Sequence, residues 1–170
     1  MIGAVNKTTR HLAMLALLAA ALVLSACGSG SREIRGELPL IRFEGLALDG
    51  DRVSLDVGLR NLNDRSLNLS ELQVQFFIEQ SLLVDVSTDV NVDISARGRE
   101  VFNLRASGER EGLRALQREL ATEGQSSTRA SGRNAGWRME LILIDAEGRE
   151  SAASAEGFLH PVPGRPGQFR

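Results

Sequence analysis

Alternation of apolar and polar residues dominates the chain from about residue 41 to residue 159. In RVSLDVGLR (52–60), every second residue from Val53 to Leu59 is apolar, and the residues between them are polar or small. A period of two is typical of a strand with one buried face. The same pattern recurs in 41–48, 68–80, 82–87, 88–95, 99–107, 137–145 and 150–159. Asp49-Gly50 separates the first two runs and predicts a tight hairpin, because glycine readily adopts the positive φ of a primed turn.

The period changes once, in EREGLRALQRELATEG (109–124). Leu113, Leu116 and Leu120 are spaced by three and four residues, which predicts one amphipathic helix that ends near Gly124. Residues 125–136 are polar and predict a loop. Seven or eight strands with one helix indicate a mostly β protein, an antiparallel β-sandwich.

The first 26 residues have the pattern of a secretory signal peptide. Lys7 and Arg10 precede thirteen apolar residues, Leu12 to Leu24. That run is shorter than the roughly 20 residues that span a bilayer. Leu24-Ser25-Ala26-Cys27 then resembles the lipobox of bacterial lipoprotein precursors. The resemblance implies cleavage before Cys27, lipidation of this cysteine and a membrane anchor of acyl chains.

Cys27 is the single cysteine of the chain, so no intrachain disulfide can form. An intermolecular disulfide is the alternative role for such a cysteine in an exported protein. Gly28 follows the cysteine where an aspartate would retain a lipoprotein in the inner membrane. The expected location is therefore the periplasmic side of the cell envelope, at the outer membrane.

Composition divides the rest of the chain into a tether, a domain and a tail. Residues 27–38 are small, polar and charged after the cysteine, and predict a lipidated tether. Residues 39–159 form the predicted domain. The segment 160–170, HPVPGRPGQFR, has three prolines and two glycines in eleven residues and predicts a flexible tail.

The charge of the mature chain argues against nucleic acid as a partner. Removing Lys7 and Arg10 from 20 basic residues leaves 18, against 22 acidic residues, a net charge of −4. Binding to phosphate backbones needs a basic surface. With 42% hydrophobic residues, the chain is also apolar enough to fold around a core.

Reactive groups are too scattered to predict catalysis. His11 leaves with the signal peptide and His160 lies beside the proline-rich tail. One isolated histidine does not build a typical metal site. Asp85, Asp89 and Asp93 are spaced by four and could hold a cation, but this spacing more often marks the solvated side of strands. We therefore expect a protein that is not an enzyme and needs no cofactor or metal.

One stretch carries a family resemblance, Val53 to Gly108. Its alternating strands, Asn61-Leu62-Asn63 and the turn Ala96-Arg97-Gly98 resemble the late embryogenesis abundant (LEA) type 2 family, or WHy (water stress and hypersensitive response) domain. Asn61-Leu62-Asn63 occupies the family's Asn-Pro-Asn position, with Leu62 in the place of the proline. Asparagine tolerates left-handed φ and bonds the local backbone, so Asn61 and Asn63 are interpreted as a structural motif that turns the chain out of a strand.

The LEA type 2 resemblance implies a sandwich like those of fibronectin type III and immunoglobulin domains, with about seven strands and one helix. It also implies a non-catalytic role in desiccation or osmotic stress. Together these features predict an envelope lipoprotein with a protective or binding role, whose partners are the membrane, through the anchor, and a lipid or envelope protein. The alternative is an accessory subunit of an envelope assembly or lipid-transport system.

Overall fold

The computed structural model describes residues 33–123 and 135–170, and all of these except residue 33 belong to one compact unit, Ile34–Arg170. In these ranges there are eight strands and one helix. The strands are β1 (Leu40–Asp49), β2 (Arg52–Arg60), β3 (Leu67–Ile78), β4 (Ser81–Ile94), β5 (Arg99–Ser107), β6 (Gly136–Asp145), β7 (Glu150–Phe158) and β8 (Gln168–Phe169). The helix α1 (Arg110–Glu123) lies between β5 and β6.

The strands form two antiparallel sheets of four. Sheet 1 has the order β5-β2-β1-β8 and sheet 2 the order β4-β3-β6-β7. The chain builds the hairpin β1-β2 in sheet 1, then β3-β4 in sheet 2, and continues to alternate between the sheets. This arrangement confirms the predicted antiparallel β-sandwich with one helix, and the eight strands of the described residues agree with the seven or eight expected.

The core lies between the sheets and follows the period-two pattern. On β2, Val53, Leu55, Val57 and Leu59 are each at most 2% exposed. Across the core, β3 contributes Leu72, Val74, Phe76 and Ile78, which are equally buried. Burial of such side chains is the main force that holds the two sheets face to face.

The hairpin predicted at Asp49-Gly50 is present. Asp49 pairs with Arg52, and Gly50 between them has φ of 65°. β1 and β2 stay in register from this turn to a bulge between Phe43 and Gly45.

The two strands predicted at 82–87 and 88–95 are one strand, β4, so that prediction was wrong. Its pairing with β3 runs from Ser81 opposite Ile78 to Ile94 opposite Leu67. The polar residues between the apolar runs keep their ladder partners, since Thr88 lies opposite Leu72. Asn91, with φ of 43°, lies where the pairing with β3 shifts its register between Leu69 and Glu71, and the strand continues past it.

The helix predicted at 109–124 is confirmed as α1, which packs on β4. Ala115 and Leu116 are buried, and Leu113 packs partly against the core. Gly112 touches the backbone of Leu82 and Leu83, so the helix lies directly on the strand. Gly124 and residues 125–134 of the predicted loop lie outside the described residues.

The predicted flexible tail at 160–170 was wrong, because its last residues complete sheet 1. Phe169 is 4% exposed and pairs with Leu46 of β1. His160 and Arg170 exchange two backbone hydrogen bonds of 3.0 Å. Gly164 and Gly167, with φ of 73° and 76°, allow the tight return that places Phe169 in the core.

The predicted tether is also shorter than residues 27–38. Ile34 already belongs to the compact unit, and its backbone N–H donates to Asp64 Oδ2 at 2.7 Å. The predicted signal peptide (1–26), Cys27 and residues 28–32 lie outside the described residues. Among the residues that are described, no helix is long and apolar enough to cross a bilayer.

Candidate functional site

Asn61 follows the last residue of β2 and is fully buried. Its Nδ2 donates to three backbone carbonyls, those of Arg65 at 2.7 Å, Ser95 at 3.1 Å and Ile94 at 3.2 Å. Its backbone N–H donates to the carbonyl of Gly98 at 2.9 Å. One side chain therefore joins the exit of sheet 1 to the end of β4 in sheet 2.

Asn63 extends this network to the N-terminal segment. Its backbone N–H donates to Asn61 Oδ1 at 2.9 Å, which makes an Asx-turn. Its side chain bonds both backbone groups of Glu37, accepting from N–H at 2.9 Å and donating to C=O at 2.8 Å. Neither asparagine is among the described residues with positive φ, so the side-chain hydrogen bonds, and not a left-handed backbone, turn the chain.

Asp64, which the sequence pattern did not single out, belongs to the same network. Its carboxylate accepts from Arg97 Nε at 2.8 Å and from the Ile34 backbone N–H at 2.7 Å. The hydrogen bond from Arg97, followed by that from Ile34, holds the pKa of Asp64 below its ordinary value. Arg97 has φ of 58°, which fits the turn predicted at Ala96-Arg97-Gly98.

We call Asn61, Asn63, Asp64 and Arg97 the asparagine network. Its amide and carboxylate side chains are engaged in hydrogen bonds that hold three segments together. Leu62, which stands where the resembled Asn-Pro-Asn pattern has proline, lies between the two asparagines, and the hydrogen bonds of these two neighbours fix the loop. The arrangement is that of a structural joint.

Metal-binding side chains do not cluster in the described part of the chain. This part contains no group of three His, Cys, Asp or Glu side chains placed to hold a metal ion. Asp85, Asp89 and Asp93 are exposed on β4, opposite Gln75, Glu71 and Asn68 of β3. The sequence left two roles open for these aspartates, a cation site or the solvated side of a strand. Their exposure places them on the solvated side.

A shallow depression of about 490 Å³ lies on the outer face of sheet 2. Small side chains of β7, Ala152 and Ser154, leave room beside the larger residues of β6 and β3. Ile142 is 37% exposed in it, and polar groups surround this apolar residue, among them Gln73, Gln75, Asp85 and Glu140.

The two outer faces of the sandwich differ in charge. Strand pairing places seven acids on the outer face of sheet 2, with one arginine: Glu71, Asp85, Asp89, Asp93, Glu140, Glu150, Glu156 and Arg138. Sheet 1 presents five arginines and three acids: Arg42, Arg52, Arg60, Arg99, Arg105, Glu44, Asp49 and Asp56. The formal charges are 1 − 7 = −6 and 5 − 3 = +2.

The ion pairs on the two faces also differ. On sheet 2, the single arginine, Arg138, lies 2.6 Å from Glu140 and 4.5 Å above the ring of Phe77. On sheet 1, Arg99 pairs with Glu44 at 2.6 Å, a contact that the missing side chain of Gly58 permits. The difference in charge between the two faces follows from the residues at the outward positions of the strands. The sequence contains these residues, but the pairing register is needed to assign them to a face.

No protein-family model matches the chain, and no curated protein sequence matches it. Solved structures of similar fold include AT1g01470 from Arabidopsis thaliana, at 10% identity and a TM-score of 0.45, covering 78% of this chain and 92% of that one. A putative late embryogenesis abundant protein, At2g46140.1, matches at 10% identity and a TM-score of 0.44, covering 94% and 90%. A protein from Archaeoglobus fulgidus matches at 12% identity and 0.41, covering 74% and 100%. At these values the matches assign no family, and the sandwich rests on the strand order itself.

Proposed function

We propose that the chain is a lipid-anchored, non-catalytic protein of the bacterial cell envelope. In this proposal Cys27 carries the anchor, and the sandwich faces the periplasm from the outer membrane. The observation that carries the proposal is Leu24-Ser25-Ala26-Cys27 directly after thirteen apolar residues. A cysteine with two or more acyl chains gives stable anchoring, which a single chain does not.

The sandwich itself has, in this proposal, a protective or binding role under desiccation or osmotic stress. The support is the resemblance to LEA type 2 domains at Val53–Gly108. Within that stretch, the side chains at the Asn-Pro-Asn position hold the loop between the sheets.

Replacing the cysteine tests the anchor. Cys27→Ser should abolish acylation, seen as loss of the lipid mass, and should move the protein from the membrane to the soluble fraction. Ser29→Ala is the matched control, since it changes a neighbouring small residue and should leave both readouts unchanged. Membrane fractionation of Cys27→Ser equal to that of the wild type would contradict the proposal.

A stress role is tested separately. Deleting the gene should lower survival after drying or osmotic shock, and the wild-type gene should restore it. If the Cys27→Ser gene restores survival equally well, the protective role does not need the anchor. Unchanged survival of the deletion strain would refute the protective role and leave the anchor untouched.

A second candidate function is that of an accessory subunit in an envelope assembly or lipid-transport system. The depression on the outer face of sheet 2, with Ile142 exposed in it, favours this function. Purification from membranes with the anchor intact should then yield a bound lipid or a stoichiometric protein. Ile142→Glu should abolish that association, whereas Val101→Glu, on the opposite face, should retain it.

A further inference from the structure

We propose that the outer face of sheet 1 is the surface that rests on an anionic phospholipid bilayer. The proposal builds on the lipid anchor at Cys27 and adds which side of the sandwich meets the lipid. Three observations carry it: the charge of the two faces, the exposed apolar side chains of sheet 1, and the length of chain between Cys27 and the domain.

The first observation is the charge of the two outer faces, +2 on sheet 1 and −6 on sheet 2. Arg42 and Arg60 are exposed on sheet 1, and neither makes an ion pair with any residue that the structure describes. Guanidinium groups bind phosphate through paired hydrogen bonds, so unpaired arginines suit a phospholipid surface. Sheet 2 would be repelled by the same surface.

The second observation is that apolar side chains lie among these arginines. Leu40 is 40% exposed and pairs with Arg60, and Val101 is 46% exposed and pairs with Gly58, which also pairs with Arg42. These residues form adjacent outward rows across three strands. Apolar side chains flanked by basic groups are the combination that binds at the boundary between headgroups and acyl chains.

The third observation is the short reach of the anchor. Residue 33, where the described chain begins, is 33 − 27 = 6 peptide steps after Cys27. Six residues span at most about 20 Å even when fully extended. Ile34 is then held by Asp64, and Leu38, two residues before β1, is 51% exposed. A tether this short keeps the first strand of sheet 1 near the bilayer and raises its effective concentration there.

Labelled single-cysteine variants of the acylated full chain test the orientation. Acylation consumes Cys27, so Val101→Cys on sheet 1 and Ile142→Cys on sheet 2 each present a single free thiol for a fluorescent label. The proteins are reconstituted in phosphatidylcholine vesicles, with or without phosphatidylglycerol. The measurement is quenching of the label by acrylamide, a neutral quencher in the water.

We expect quenching at position 101 to fall several-fold when phosphatidylglycerol is present, and quenching at position 142 to stay the same. Adding Arg42→Glu and Arg60→Glu should restore quenching at position 101. The matched control is Arg110→Glu with Arg114→Glu, which makes the same change in net charge on α1. This control should keep position 101 protected, and fluorescence of Trp137 verifies that each variant is folded.

Equal quenching at position 101 in both kinds of vesicle would overturn the proposal. So would a loss of protection in the α1 control as large as that caused by Arg42→Glu and Arg60→Glu. Measuring the intact mass of the purified protein separates this outcome from failure of the anchor. A mass without acyl groups refutes the lipid anchor and leaves the orientation of the sandwich undecided. The orientation is then decided by flotation of that chain with anionic vesicles. Binding that Arg42→Glu/Arg60→Glu abolishes supports the face, and absence of binding overturns it.

Discussion

At the scale of single residues, one neutral side chain, that of Asn61, holds the loop after β2 in place. Asn61 is fully buried, and its amide donates to three carbonyl oxygens at the junction of the two sheets, of which that of Ser95 also accepts from the Gly98 N–H. A buried acceptor without a donor is costly, because it loses its bonds to water and gains none. Asparagine suits this position, since its amide group both donates and accepts.

Asn61→Ala should therefore lower the free energy of unfolding by about 1–3 kcal/mol, the cost of leaving a buried acceptor unsatisfied. Asn61→Asp should be at least as damaging, because a carboxylate would face carbonyl oxygens. Urea denaturation followed by the fluorescence of Trp137, the single tryptophan, measures both changes. Ser66→Ala, an exposed change in the same loop, is the control and should alter stability little. A small effect of Asn61→Ala would show that water can replace the amide.

Asp64 makes the asparagine network sensitive to acid. Its pKa is lower in the folded protein than its ordinary value of 3.8, because Arg97 and then the Ile34 N–H donate to the carboxylate. A depressed pKa contributes stability that is complete above the unfolded value and is lost as the pH falls through the folded value. The ion pair is solvent-exposed, which limits the size of the effect.

Asp64→Asn should accordingly be less stable than the wild type at neutral pH, and the difference should shrink as the pH falls below 3.8. Denaturation midpoints across this pH range measure the difference. Ser66→Ala, which changes no titrating group, should differ from the wild type by the same amount at every pH. A difference for Asp64→Asn that stays constant with pH would contradict the role assigned to the carboxylate.

At the scale of elements, α1 depends on the absence of a side chain. A Cβ on Gly112 would overlap the carbonyl oxygen of Leu82 and lie 2.5 Å from Leu83 Cα. Both contacts are with backbone, which cannot move aside as a side chain can. Glycine in the first turns of a helix is locally unfavourable by about 1 kcal/mol relative to alanine. The close approach to β4, which lets Leu116 become buried, offsets this cost.

Gly112→Ala should thus destabilise the protein by about 1–3 kcal/mol, the usual cost of overpacking, although alanine is the better helix former. Gln117→Ala, on the exposed side of the same helix, should change stability by less than about 0.5 kcal/mol. Urea denaturation of the two variants measures the contrast. A stabilised Gly112→Ala would mean that helix propensity outweighs packing at this position.

The elements also show what the sequence could and could not predict. Strands with regular alternation, such as β2, were predicted closely, because the period of the pattern directly encodes which face is buried. β4 was predicted as two strands, because the local pattern does not report pairing between distant segments. Its ladder with β3 continues without a break at Ser87 and Thr88. The hydrogen bonds of Asn61 reach 34 positions along the chain, to Ser95, and no local pattern reports such a contact.

At the scale of the whole molecule, sheet 1 is complete only when both ends of the domain are in place. The segment before β1 is tied to the asparagine network, and the segment after β7 returns to pair Phe169 with Leu46. Prolines and glycines led to the prediction of a flexible tail because composition averages over residues. One buried aromatic at the end of that segment outweighs the average, since burying a phenylalanine gains about 1.5–3 kcal/mol.

Phe169→Ala should lower the free energy of unfolding by about 3–5 kcal/mol, because it removes a buried ring and leaves a cavity beside Leu46. It should also expose the edge of β1, so the protons of the Leu46–Leu48 amides should exchange faster with solvent. Arg165→Ala is the matched control in the same tail, where the side chain is exposed, and should leave both stability and exchange unchanged. Equal stability of Phe169→Ala and the wild type would mean that the tail merely rests on a sandwich that is already complete. The loss predicted here instead makes the last residues of the chain part of the core that holds the two sheets together.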